Sequence, residues 1–235
     1  MTDTMKKLAV LLIGTLFVLC VAVVLAVSLP VSTAFAAEGE PEATVHDHTD
    51  GTWTELTATG GTLQSGNYYL TSDVTLTTDI TIADNATVTL CLNGYKLTGT
   101  GTSSVITVGG GADFTLEDCS APAGTGVITG GIGSNHSGSL WGGGVLVEDG
   151  MFTMTGGTIS GNTATVGGGV FTNSNGVFTM NGGTITNNIA TYSGGGGVYM
   201  HNNGTFTMTG GTISGNTART GGGVDMIDGT FTMNG

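Results

Sequence analysis

Residues 167–188 read GGGVFTNSNGVFTMNGGTITNN, and the chain writes variants of this phrase several times over. Phe-Thr-Met recurs at Phe152, Phe178, Phe206 and Phe231, at spacings of 26, 28 and 25 residues. Gly-Thr-Ile recurs around Ile159, Ile185 and Ile213, and Gly-Gly-Gly-Val ends at Val145, Val170, Val198 and Val224. One unit therefore holds three short alternating stretches between glycine-rich corners, the pattern of strands with one apolar face. Alternation turns Val170, Thr172, Phe178, Met180 and Ile185 to one side, and Phe171, Thr179, Thr184 and Thr186 to the other.

Three strands of about five residues in each unit predict an all-β fold, one unit forming one turn of a parallel β-helix. Like residues then stack about 4.8 Å apart along the axis. The handedness of parallel crossovers makes the expected helix right-handed. A propeller blade needs longer strands in hairpins, and a leucine-rich repeat needs a leucine framework that this sequence lacks. The less regular first half keeps the period: Ile80-Thr81-Ile82 maps onto Ile106-Thr107-Val108, and Val88-Thr89-Leu90 onto Phe114-Thr115-Leu116. A β-helix is expected over 66–235, starting near Tyr68, after a linker or cap at 37–65. Phe114 and Phe152 stand 38 residues apart, so extra residues around Asn135 to Trp141 are expected to protrude as a loop. The repeat stops at Asn234-Gly235 inside a unit, which reads as truncation within a coil.

Composition narrows the function. The 235 residues hold 44 Gly and 43 Thr, both poor helix formers. With 17 acidic and 4 basic residues the net charge is −13, which leaves no basic patch for nucleic acid or an anionic membrane. Hydrophobic residues at 39%, regularly spaced, argue against disorder. At the N-terminus, Lys6 and Lys7 precede an apolar run from Leu8 to about Leu29, and Ala34-Phe35-Ala36 offers small residues at a cleavage site. Residues 1–36 are read as a secretory signal, with an uncleaved anchor as the alternative because the run is long enough to span a bilayer. Cys20 does not make a lipoprotein signal, since bulky Leu19 precedes it and the apolar run continues beyond it. After cleavage no membrane contact is expected, and the protein belongs outside the cell or on its surface.

Asn162, Asn188 and Asn216 recur in register after the third strand. An inward Asn at each turn can bond the bend's backbone and its own copies above and below, so a structural ladder is expected, with Ala164, Ala190 and Ala218 inward beside it. Cys91 and Cys119 fall on adjacent coils offset by two residues, which allows either a disulfide or two buried thiols. His46-Asp47-His48 with Asp50 has the spacing of metal ligands, but nothing completes the set, and the competing reading is a polar linker leading to Trp53. His136 and His201 are expected to be isolated and exposed. No cofactor is expected. The aromatic residues Trp141, Tyr192 and Tyr199 are candidate platforms for a sugar ring.

The units G-G-T-I-S-G-N-T-A and G-G-G-V, with Leu90-Cys91-Leu92-Asn93-Gly94 and Leu116-Glu117-Asp118-Cys119, resemble the right-handed parallel β-helix, adhesin-like surface proteins of Gram-positive gut bacteria. The resemblance spans roughly Gly66 to Gly235. The chain is similar, more loosely, to chlamydial polymorphic membrane proteins: Phe178 to Asn181 and Phe231 to Asn234 fit their F-x-x-N repeat, whereas Phe152 and Phe206 are followed by Thr at the fourth position. The resemblance implies an extracellular, pectin-lyase-like scaffold that presents surface for adhesion, and no particular ligand. Glycans or host and bacterial surfaces are the expected partners. Polysaccharide-cleaving β-helix enzymes need clustered acids with Lys or Arg, and beyond the signal this chain has only Lys96 and Arg219. Catalysis is therefore expected only if a further region carries it. A spacer without a ligand is a second alternative. A third is an ice-binding solenoid, because Thr158-x-Ser160, Thr184-x-Thr186 and Thr212-x-Ser214 set out a hydroxyl grid that the first half is not expected to continue.

Overall fold

The computed structural model describes residues 46–120 and 124–234. The expected signal over 1–36 and the first part of the expected 37–65 linker lie outside the described residues. Every regular element among the described residues is a strand, and all but one hairpin pair in parallel. Three parallel sheets of seven, eight and six strands form the walls of a β-solenoid, and the chain visits them in the same order on each turn.

The first wall contains Ile80–Ile82, Ile106–Val108, Val145–Glu148, Val170–Asn173 and Val198–Met200, among others; the second contains Thr87–Cys91, Asp113–Glu117, Met151–Met154, Val177–Met180 and Gly204–Met208; the third contains Lys96–Thr98, Val127–Thr129, Thr158–Ser160, Thr184–Thr186 and Thr212–Ser214. The pairing is register-perfect where the repeats are: Phe152 faces Phe178, and Phe178 faces Phe206. Alternating β-branched, aromatic and Thr residues favour such half-buried strands, and their inward members are the core. Phe114, Phe152, Phe178, Phe206 and Phe231 stack along the axis with ring centroids 4.7 to 5.4 Å apart. Ile128, Ile159 and Ile185 fill the third wall's inner face, and Val145, Val170 and Val198 that of the first.

The Gly-Gly-Gly-Val motif marks the corner entering the first wall, where successive turns approach too closely for side chains. A Cβ added at Gly169 would lie 2.6 Å from the Gly197 carbonyl oxygen and 2.9 Å from Ile185 Cγ2. The corner leaving that wall instead uses left-handed Asn residues, with Asn175 at φ 66° and Asn202 and Asn203 at 49° and 62°.

The ladder starts earlier than the Gly66 boundary read from the sequence. Trp53–Glu55 pairs with Gly66–Tyr69, and Gly61–Leu63 pairs with Ile80–Ile82. The insertion before the fourth turn is an antiparallel hairpin, Ser134–His136 against Ser139–Trp141.

Candidate functional site

On the first wall the middle residue of each strand points outward. Along the axis this outer row runs Thr62, Thr81, Thr107, then Leu146, Phe171, Tyr199 and Asp225. The change from hydroxyl to apolar side chains comes where the hairpin is inserted. Leu146, Phe171 and Tyr199 form a second hydrophobic cluster outside the solenoid, with Trp141 and Val166 packed on it. Phe171, directed outward by alternation, is therefore only 1% exposed.

Two columns build this corner. Trp141 at the hairpin's end bridges to Val166 on the next turn. Thr163 faces Ile189 and Ala164 faces Ala190, and the Tyr192 amide donates to the Thr165 carbonyl at 3.2 Å, which carries the column on to Tyr192. Against it stands the Leu146–Phe171–Tyr199 row. The Trp141 ring lies 5.0 Å from Phe171 on one side and 4.2 Å from His136 on the other, nearly parallel to both. His136 Nε2 is 3.4 Å from Glu148 Oε1. His201 completes the group, 6.4 Å from Phe171 and Tyr199 and 6.5 Å from Trp141. Its Nδ1 lies 3.4 Å from Asn173 Oδ1, which also accepts from Asn202 Nδ2 at 2.9 Å.

This geometry revises several expectations. His136 and His201 are not isolated, because the hairpin and the outer row bring aromatic neighbours to both. Trp141 is not an open platform, since both ring faces are covered. Tyr199 is 5% exposed and is closed off by the 191–197 loop, where a Cβ on Gly194 would meet its ring at 2.6 Å. Burial, with Asp225 and Asp228 adding negative charge, pushes the Tyr199 phenol above its ordinary pKa and keeps it neutral. Tyr192, 65% exposed, is the open ring among the three candidate platforms. Phe171 and Glu148 escaped the sequence reading, because alternation gives the direction of a side chain and not what lies over it.

The Asn ladder lines the inside of this same corner, between the third and first walls, where a Cβ on Gly144 would lie 3.1 Å from Asn162 Nδ2. Asn162 and Asn188 are fully buried. Asn188 Oδ1 accepts from the amide and side chain of Asn162, and Asn216 Oδ1 accepts likewise from Asn188, at 2.9 to 3.1 Å. Their side-chain amides donate to the carbonyls of Ile128, Ile159 and Ile185. Ala164 and Ala190 are buried beside them, while Ala218 on the last turn is half-buried.

Cys91 and Cys119 are disulfide-bonded across adjacent turns, with Cα atoms 6.4 Å apart. The histidines expected in a polar linker pack over this bond instead. The His48 ring stacks on Tyr69 at 4.4 Å and meets Trp53 edge-on at 4.8 Å, and its Nε2 lies 3.5 Å from Cys119 Sγ. His46 Nε2 lies 2.7 Å from Glu117 Oε1, and Glu117 faces Cys91 in register. Asp47 and Asp50 turn away and accept from the amides and hydroxyls of Thr49 and Thr52, forming Asx turns that shape the segment.

On the third wall, one hydroxyl row is longer than expected. Ser160, Thr186 and Ser214 pair in register; Thr75 faces Thr98, Thr98 faces Thr129, and the Val127–Thr158 register carries the row on to Ser160. Only the neighbouring row of Thr158, Thr184 and Thr212 is broken in the first half, by Val127 and Lys96.

No family model matches the chain, and neither the curated proteins nor the solved structures compared with it hold a match. The class defined here is a parallel β-solenoid with an aromatic corner on its outside.

Proposed function

We propose that the chain is an exported, non-catalytic β-helix module of the extracellular space or cell surface, adhesin-like in character, that binds carbohydrate at its aromatic corner. Export rests on Lys6, Lys7 and the apolar run after them. The adhesin-like, pectin-lyase-like assignment rests on the sequence resemblance. One observation carries the binding reading: the outer row becomes Leu146, Phe171 and Tyr199 where the hairpin arrives with His136 and Trp141. A rod serving only as a spacer has no use for apolar residues on its outside and an insertion to roof them. What stays exposed there is part of His136, stacked on Trp141 and 3.4 Å from Glu148, with the open Tyr192 ring on the neighbouring column; rings with planar polar groups are what sugars require. Lys96 and Arg219, on turns far apart along the axis, offer no paired cation for polysaccharide cleavage.

The test is a glycan array followed by titration of the best hit. Tyr192→Ala, which removes an exposed ring, should weaken binding tenfold or more without changing the circular dichroism spectrum. Trp141→Ala should do the same by collapsing the stack under His136. An array with no hit would overturn the reading in favour of a spacer.

The full-length hydroxyl row favours a second reading, contact with an ordered lattice such as ice. Strand neighbours set its repeat at about 4.8 Å. Thermal hysteresis that disappears in Thr186→Tyr would establish it; its absence would dismiss it.

A further inference from the structure

The N-terminal histidine segment and the Cys91–Cys119 bond form a cluster that the carbohydrate reading does not use. We propose that the reduced chain holds one zinc ion between His48, Cys91 and Cys119, so that the metal and the disulfide are alternative occupants of one place. His48 Nε2 and the two Sγ atoms lie within 4.8 Å of one another. The 3.5 Å from His48 Nε2 to Cys119 Sγ matches the edge of a tetrahedron with Zn–N about 2.0 Å and Zn–S about 2.3 Å. Zinc-bound sulfurs stand about 3.8 Å apart in such a tetrahedron. Side-chain rotation reaches that spacing from Cα atoms 6.4 Å apart, with no movement of the walls.

The ligands are also held in advance. Cys91 ends a strand of the second wall, and Cys119 follows the strand paired with it. The imidazole is fixed by Tyr69 beneath it and Trp53 at its edge, the role that supporting contacts play around metal ligands. Two thiolates and an imidazole suit zinc better than calcium or magnesium, and water completes the fourth position.

The exchange balances. An external dithiol delivers two electrons to the Cys91–Cys119 bond and becomes a disulfide itself; the two thiols formed lose their protons as zinc binds. Oxidation by an external disulfide returns the electrons, reforms the sulfur–sulfur bond and releases zinc.

The test uses the whole chain, reduced with a phosphine under argon and followed by circular dichroism during titration with Co²⁺ and then Zn²⁺. One equivalent of Co²⁺ should give thiolate-to-cobalt charge-transfer absorption that Zn²⁺ abolishes, and the oxidised chain should give none. His48→Ala should weaken binding tenfold or more, and Cys91→Ser with Cys119→Ser should remove the absorption. A reduced, folded chain without that absorption would overturn the proposal, as would His48→Ala binding with wild-type affinity. Should reduction unfold the chain, zinc must restore the β signal; failure to restore it overturns the proposal equally.

Discussion

The side-chain amide of Asn188 donates to Oδ1 of Asn216 at 3.0 Å, while its own Oδ1 accepts the Asn162 backbone amide at 3.1 Å from the turn on its other side. Asn188 thus joins three turns, serving partners on both sides, whereas the partners of Asn216 all lie on the turn of Asn188. Asn188→Leu would fill the volume but orphan the Asn162 N–H and the Ile159 carbonyl, both in the buried interior. At about 1–3 kcal/mol for each orphaned group, the loss should be about 3 kcal/mol or more. Asn216→Leu, on the half-buried last turn, should cost less. Urea unfolding of both variants checks the order, and faster hydrogen exchange at the Asn162 amide would locate the damage.

Phe178 sits between Phe152 and Phe206 in the axial stack, fully buried. Phe178→Ala should cost about 3–5 kcal/mol, since neighbours fixed by ladders on both sides cannot collapse into the cavity. Thr179→Ala, one residue on and facing outward, should cost less than about 1 kcal/mol. Equal losses in chemical denaturation would contradict the face assignment.

Thr172 points into the core between Val147 and Met200, and its hydroxyl is buried without a hydrogen-bond partner. Thr172→Val puts a methyl where the orphaned hydroxyl stands, keeping the shape and removing an uncompensated desolvation. The variant should be more stable than wild type by about 1 kcal/mol. A drop in its urea midpoint would show that the hydroxyl has a bound-water partner.

The fold was legible where the repeats agree most closely. Around Phe178 period and alternation point the same way, so the core stack, the Asn ladder positions and the inserted segment follow from spacing alone. At the N-terminal end the spacing shortens: Trp53 pairs with Asn67, and Asn67 with Thr89, so a 26-residue template places the start too late. The full hydroxyl row was hidden because Val127 and Lys96 break the two-Thr signature while Thr129 and Thr98 keep its second member. His46 and His48 lie in a segment with no periodicity. Their packing depends on Trp53, Tyr69 and Glu117, which only the solenoid's register assembles. The aromatic corner was half legible: Trp141 and Tyr199 drew notice as aromatics, but their burial depends on a hairpin and a loop folding over an outward row.

Glu117 gives the structure a pH dependence whose sign can be fixed. Burial raises its pKa above 4.5, and the charge and contact of His46 oppose that shift without cancelling it. The unfolded chain therefore releases this proton at lower pH than the folded chain does. Stability from the buried neutral carboxyl is fully present below the unfolded pKa and is lost as pH rises through the folded value. His48 acts in the opposite sense, because burial lowers its pKa below 6.5. Its contribution is complete above the unfolded value and is lost as pH falls through the folded one. Glu117→Gln removes the first titration and leaves the second. Urea midpoints measured from below pH 4.5 to neutrality should shift steadily in favour of Glu117→Gln relative to wild type. A difference that stays flat across that range would mean that His46 offsets the burial completely, and a shift in favour of wild type would mean that the ion pair outweighs it.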